Sequence, residues 1–133
     1  MSADEAKELE WYQRLERDYR GLFTLFPECN AGWESILREV FDVVKANVSD
    51  PAQFGLFQVK EKFGGLRVYY SLDGASDKAS VAIREAVDAA EQKSLKTCEL
   101  TGKPGKLISR GGYICVRSDE HIKNTDVVLK QPD

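Results

Sequence analysis

The stretch 54–72, FGLFQVKEKFGGLRVYYSL, constrains the fold more than any other part of this chain. Two runs rich in aromatic and aliphatic residues flank Gly64-Gly65, and a glycine pair supplies the positive φ angles of a tight two-residue hairpin turn. A turn there pairs Phe63 with Leu66, Lys62 with Arg67, Glu61 with Val68, Lys60 with Tyr69, Val59 with Tyr70, Gln58 with Ser71 and Phe57 with Leu72. Side chains alternate across a strand, so these pairs sort by face. One face carries Phe57, Val59, Phe63, Leu66, Val68, Tyr70 and Leu72 with a single charge, Glu61. It is expected to pack on helices. The other carries Gln58, Lys60, Lys62, Arg67, Tyr69 and Ser71 and is expected in water or against a partner. A carboxylate on the apolar face needs a partner or a role, and a helix arginine is the expected one.

The helices follow from periodicity. Tyr12, Leu15, Tyr19, Leu22 and Phe26 recur at three- and four-residue spacings and predict an amphipathic helix over 4–21. Leu22, Phe23, Leu25 and Phe26 form an apolar knot before Pro27. Asn30 is placed to cap a second helix, whose stripe is Trp33, Leu37, Val40 and Val44 with Ile36 and Phe41, ending near Asn47. Ser76 or Asp77 caps a third, running to about Leu95. Its apolar positions, Ala79, Ala82, Ile83, Ala86, Val87 and Ala90, are mostly small and permit close approach to a sheet. The expected fold is therefore α+β: three helices on a small antiparallel sheet centred on the hairpin, with a short β-rich tail. Residues 1–96 form the core domain and 97–133 a tail packed on it, as one structural unit.

At 133 residues the chain can bury a core without staples. Three cysteines, an odd number, argue against a secreted disulfide framework. The acidic start MSADEAKELE does not read as a signal peptide, and no run approaches the ~18 apolar residues of a membrane span. A cytoplasmic protein with no membrane partner is expected. The net charge of −3 gives no global attraction to nucleic acid. Its distribution is uneven, however. Asp4, Glu5, Glu8 and Glu10 oppose Lys7 at the start, whereas Lys93, Lys96, Lys103, Lys106, Arg110 and Arg117 face only Glu99 between 93 and 117. Such a local basic segment is either a solvated surface or an anion site.

Beyond Thr97, Gly102, Pro104, Gly105, Gly111 and Gly112 cut the tail into TCELTGK, KLISR and GYICVR, read as two or three short strands joined by turns. Ser118 to His121 begins a short helix, and the last residues are expected to be loose. With QVKEKFGGLRVYY ahead of them, TCELTGKPGKL and GGYICVRSDEH resemble a poorly characterised family of small bacterial and phage-encoded proteins. That family carries a QVKEKFGGLRFY-like hairpin followed by a Cys-x-x-Cys-Gly-x-Pro-Gly…Gly-Gly-Trp…Cys-x-x-His tail. The likeness spans roughly residues 29–121. It implies an α+β domain closed by a zinc-ribbon-like end and implies little about activity.

Set against the family's pattern, this chain keeps Cys98, Gly102, Pro104, Gly105, Gly111, Gly112 and His121. It has Thr101 and Ser118 where the second and third cysteines would stand. Structural zinc takes four ligands, mostly thiolate and imidazole, and neutral hydroxyls replace them poorly. Only Cys98, Cys115 and His121 remain as candidate ligands, with Cys115 displaced by three residues. The expectation is a degenerate ribbon with no metal and no cofactor. A Cys98–Cys115 disulfide is an alternative that a reducing cytosol disfavours.

His121 is the only histidine. It is a candidate general base, and Cys98 or Cys115 a candidate nucleophile, yet no carboxylate, cysteine and histidine fall at a spacing that marks a catalytic set. Neither glycine pair leads into the Lys-Ser/Thr of a phosphate loop. A non-enzymatic protein is expected. The first reading is a protein-binding inhibitor, such as an immunity protein that neutralises a toxin in the bacterial cytoplasm. It would use the basic face of Lys60, Lys62, Arg67 and Tyr69 or the acidic residues of the first two helices. The alternative is a nucleic-acid-associated accessory protein using Lys60, Lys62 and Arg67 with Lys96, Lys103, Lys106 and Arg110.

Overall fold

The hairpin forms, but it turns one residue earlier than the glycine pair suggests. In a computed structural model describing residues 2–131, with residues 4–9 as backbone alone, β1 (Phe54–Lys62) pairs antiparallel with β2 (Gly65–Leu72). The two-residue turn is Phe63-Gly64, with φ of 52° and 87°. Lys62 therefore faces Gly65, Glu61 faces Leu66, Lys60 faces Arg67, Val59 faces Val68 and Gln58 faces Tyr69. Moving the turn by one residue shifts each pairing by two, so the faces survive while the register changes. Val59, Leu66 and Val68 are buried. A bulge between Leu56 and Gln58 ejects Phe57 and resets the pairing to Leu56 with Tyr70 and Phe54 with Leu72. Hence Phe57 and Phe63, both expected on the core face, are 67% and 72% exposed.

Two details hold this register. Glu61 does not pair with a helix arginine. Its Oε2 accepts from the Gly64 N–H at 2.7 Å and closes the turn. Gly64 must be glycine for packing as well as for its φ, because a Cβ there would lie 2.7 Å from Leu107 and 3.2 Å from Ile114. The hairpin's outer edges are also occupied. Glu28 bridges β1 through Glu28 N–H to Val59 O at 2.7 Å and Glu61 N–H to Glu28 O at 3.1 Å. On the β2 side, Ser94 Oγ accepts from the Leu66 N–H at 2.8 Å. Met edges do not recruit stray strands.

Helix α1 (Ala3–Asp18) and the turn after it bury Trp11, Leu15, Tyr19, Leu22 and Phe23. Among the side chains described, the stripe includes Trp11, one residue before the expected Tyr12, and Phe26 is 51% exposed. Helix α2 (Glu34–Asn47), entered through a single 3-10 turn over Ala31–Trp33, buries the whole expected stripe. Asn30 does not cap it with its side chain. Its backbone N–H and Nδ2 both donate to Glu99 Oε2, at 3.0 and 3.1 Å. Helix α3 (Asp77–Ser94) is capped by Ser76, whose Oγ accepts from Ala79 N–H at 3.1 Å, and packs its small face on α2 and β2. Phe23, Phe41, Phe54 and Tyr70 join the layers in a run of ring contacts.

The tail builds its own sheet. β3 (Lys106–Arg110) and β4 (Tyr113–Arg117) pair across a Gly111-Gly112 turn, and β5 (Val127–Val128) adds to the free edge of β3, giving the order β4-β3-β5. Val127 to Gln131 are therefore tied down rather than loose. Leu129 N–H donates to Leu107 O at 2.8 Å, and Gln131 Nε2 donates to Leu95 O. The last two residues, 132 and 133, lie outside the described residues. TCELTGK is not a strand but a tight knuckle, with Cys98 N–H on Lys103 O and Gly102 N–H on Cys98 O, each at 2.8 Å. The short helix after Ser118 is a 3-10 turn, Asp119–His121.

The knuckle docks on the start of α2. Gly32 N–H donates to Glu99 O at 2.8 Å, and Trp33 Nε1 to Thr97 O at 3.0 Å. The approach is so close that a Cβ on Gly32 would sit 2.3 Å from Glu99 O. The architecture is α+β, with three helices packed against a small antiparallel sheet that includes the hairpin.

Candidate functional site

The outer face of the hairpin is where exposed chemistry gathers. Lys60 and Arg67 are directly opposed, Gln58 opposes Tyr69, and Lys62 sits beside the turn. Lys62 and Tyr69 are exposed, and Lys60 and Arg67 are half-buried along their stems. The bulge and the turn add Phe57 and Phe63 to the exposed apolar residues of the hairpin, and Lys62 Nζ lies 6.0 Å from the Phe63 ring centroid. Sequence reasoning placed Lys60, Lys62, Arg67 and Tyr69 here. It missed both phenylalanines, because alternation assigned them inward and gives no sign of a bulge.

Among the described residues, no carboxylate forms an ion pair with Lys60, Lys62 or Arg67; one Arg67 contact is Nη1 on Leu66 O at 3.1 Å. The basic segment of 93–117 is different. Lys93 pairs with Glu39 at 2.7 Å, Lys103 with Glu120 at 3.0 Å and Lys106 with Asp119 at 3.5 Å. Arg110 grips Asp126 with two hydrogen bonds, of 2.9 and 2.8 Å. The bidentate contact holds Asp126 down at about 2. Arg117 lies 3.8 Å from Glu99. Of that segment only Lys96 has no ion pair among the described residues. The acidic partners Asp119, Glu120 and Asp126 follow the segment in sequence and were the available signal.

The acidic residues of the helices are likewise engaged. Arg14 binds Glu34 at 2.7 Å, and Arg38 bridges Glu34 and Asp18 at 3.0 and 2.9 Å, a ladder that fastens α1 to α2. Hydrogen bonds from Arg17 and Arg38 hold Asp18 at about 2. The side chains of Asp4, Glu5 and Glu8 lie outside the described residues.

The knuckle brings Cys98, Thr101 and Ser118 together. Thr101 Oγ1 and Ser118 Oγ are 3.1 Å apart, and Ser118 Oγ reaches Glu120 Oε1 at 3.1 Å. Burial pushes the Cys98 thiol up. Hydrogen bonds from the hydroxyls and backbone N–H groups of Thr101 and Ser118 more than reverse this and bring it down to about 7. Cys115 and His121 do not join it. Cys115 is buried mid-strand opposite Ile108, and His121 is exposed at the end of its 3-10 turn. Among the described residues no three of His, Cys, Asp and Glu are grouped to hold an ion. One thiol among hydroxyls that bond each other does not fit structural zinc. All three cysteines are free. Burial pushes the Cys29 and Cys115 thiols up.

Compared with protein-family models, curated proteins and solved structures, the chain matches none. Among the described residues, no helix is long and apolar enough to cross a membrane.

Proposed function

We propose that this chain is a non-enzymatic binding protein whose hairpin face docks on an acidic protein surface, in the manner of a cytoplasmic immunity protein that neutralises a toxin. The observation that carries the reading is a cluster: Lys60, Lys62 and Arg67 share one hairpin face, and none forms an ion pair among the described residues, whereas the cations of the ladder and most of those at 93–117 are matched by carboxylates. An unmatched cluster steers an oppositely charged partner and fixes its register. Exposed Phe57, Phe63 and Tyr69 beside it are of the type that dominates interface energetics. The nucleic-acid alternative shares those aromatics, which suit base stacking. It loses support because Lys103, Lys106 and Arg110 are already neutralised.

The test is protection. Coexpression with the secreted proteins encoded beside it should restore growth to cells that one of them kills. Lys60→Glu with Lys62→Glu and Arg67→Glu should remove that protection without unfolding the chain. Toxicity that persists alongside the folded wild-type chain, for every neighbour, would defeat the inhibitor reading.

A further inference from the structure

Phe63 occupies a position that its own backbone resists. Its φ of 52° is the only positive φ of a non-glycine residue among the described residues. An L side chain in that region crowds the following carbonyl, and only Gly, Asn and Asp enter it readily. The first position of such a turn is the place where Asn-Gly is the preferred pair. Nor does the ring gain burial in exchange, since it is 72% exposed. Lys62 Nζ lies 6.0 Å from its ring centroid. Leu107, Ile114 and the Glu61 carboxylate fix the turn at Phe63-Gly64, which requires a positive φ at Phe63 but not an aromatic side chain there.

A strained backbone carrying an exposed aromatic ring marks function more often than stability. Resting on the reading proposed above, we infer that Phe63 is the anchor of the hairpin face. It inserts into an apolar socket on a protein partner whose rim is acidic. The occupant follows from the charges of the hairpin. Lys62 lies beside the ring, and Lys60 and Arg67 oppose each other two pairs back along the strands; among the described residues none of the three has an ion pair, and they would meet the rim. Phe57, thrown out by the β1 bulge, adds apolar area on the same hairpin. An exposed aromatic beside unmatched charge is the residue type that anchors interface hot spots. The fold gives up local stability at the turn for this contact.

The inference therefore predicts opposite changes in stability and affinity from one substitution. A photoreactive benzoylphenylalanine in place of Phe57 captures the neighbour of this face in the producing cells. The captured protein is then made separately and titrated against wild type, Phe63→Asn, and Val81→Asn, an exposed apolar residue on α3. Phe63→Asn should bind at least ~30-fold more weakly while melting roughly 3–6 °C higher, because asparagine tolerates the turn. Val81→Asn should bind within about twofold of wild type. Wild-type affinity in Phe63→Asn, or a lower melting temperature, overturns the anchor and leaves the docking face standing. No protein adduct, or an adduct with nucleic acid alone, overturns the docking face and the anchor with it.

Discussion

Against the burial that pushes the Cys98 thiol up, Thr101 and Ser118 bring it down to about 7. Donors aimed at a thiolate favour the charged form, whereas desolvation alone disfavours it. One of the three thiols should therefore titrate near 7, and Cys29 and Cys115 above the free thiol. Thiolate absorbance in the ultraviolet measures this directly, and Cys98→Ala should remove the first step. A first step at the free value of about 8.5 would contradict the account. The sign for stability follows. An acid whose folded value is depressed stabilises the fold above that value, so the Cys98 contribution should rise from about pH 7 and level off in the free-thiol range, above which the raised Cys29 and Cys115 thiols lower stability. Glu61 is the second residue whose role lies in its contacts. Its carboxylate accepts a turn N–H rather than meeting an arginine. Glu61→Ala should cost roughly 1–2 kcal/mol in denaturant unfolding, and an unchanged midpoint would show that the contact contributes nothing.

Among the elements, what could be read in advance depended on how local its cause is. The faces of the hairpin were legible, because alternation separates Lys60, Arg67 and Tyr69 from Val59, Leu66 and Val68 whichever adjacent dipeptide turns. The register was not. Phe63-Gly64 and Gly64-Gly65 satisfy the same alternation, and the choice rests on Leu107 and Ile114 packing against Gly64 from over 40 residues away. β5 was invisible for a related reason: two valines have no period, and their pairing with Ile108 and Ser109 is decided by the tail sheet. Asn30 looked like a helix cap and is instead held by Glu99, 69 residues on. That junction gives a sharp test. Gly32→Ala drives a Cβ to 2.3 Å from a backbone carbonyl that cannot swing aside. It should lower stability by about 3 kcal/mol or more, with loss of the knuckle's amide protection. A neutral substitution would mean that the knuckle does not sit on α2 as described. For the knuckle itself, metal analysis of purified chain should find less than about half an equivalent of zinc. A full equivalent would contradict the reading of Thr101 and Ser118 as a hydrogen-bonded pair.

At the scale of the whole molecule, a net charge of −3 hides a partition. Carboxylates and cations match along the α1–α2 ladder and across much of the tail, while Lys60, Lys62 and Arg67 lie together and unmatched on one face of the hairpin. Sequence reading reached that face from hairpin alternation but overestimated the basic surface. Pairs such as Lys103 with Glu120, Arg110 with Asp126 and Lys93 with Glu39 lie 17, 16 and 54 residues apart. The partition is also why the tail is a poor nucleic-acid track, since each neutralised cation has no counterion left to release. The most direct measurement is a parallel pull-down from the producing cells with the tagged wild type and the Lys60→Glu, Lys62→Glu, Arg67→Glu chain, analysing both protein and nucleic acid. One stoichiometric acidic protein held by the wild type and lost from the reversed chain is the predicted result. Nucleic acid that elutes with salt, or the same protein retained by both chains, would contradict it.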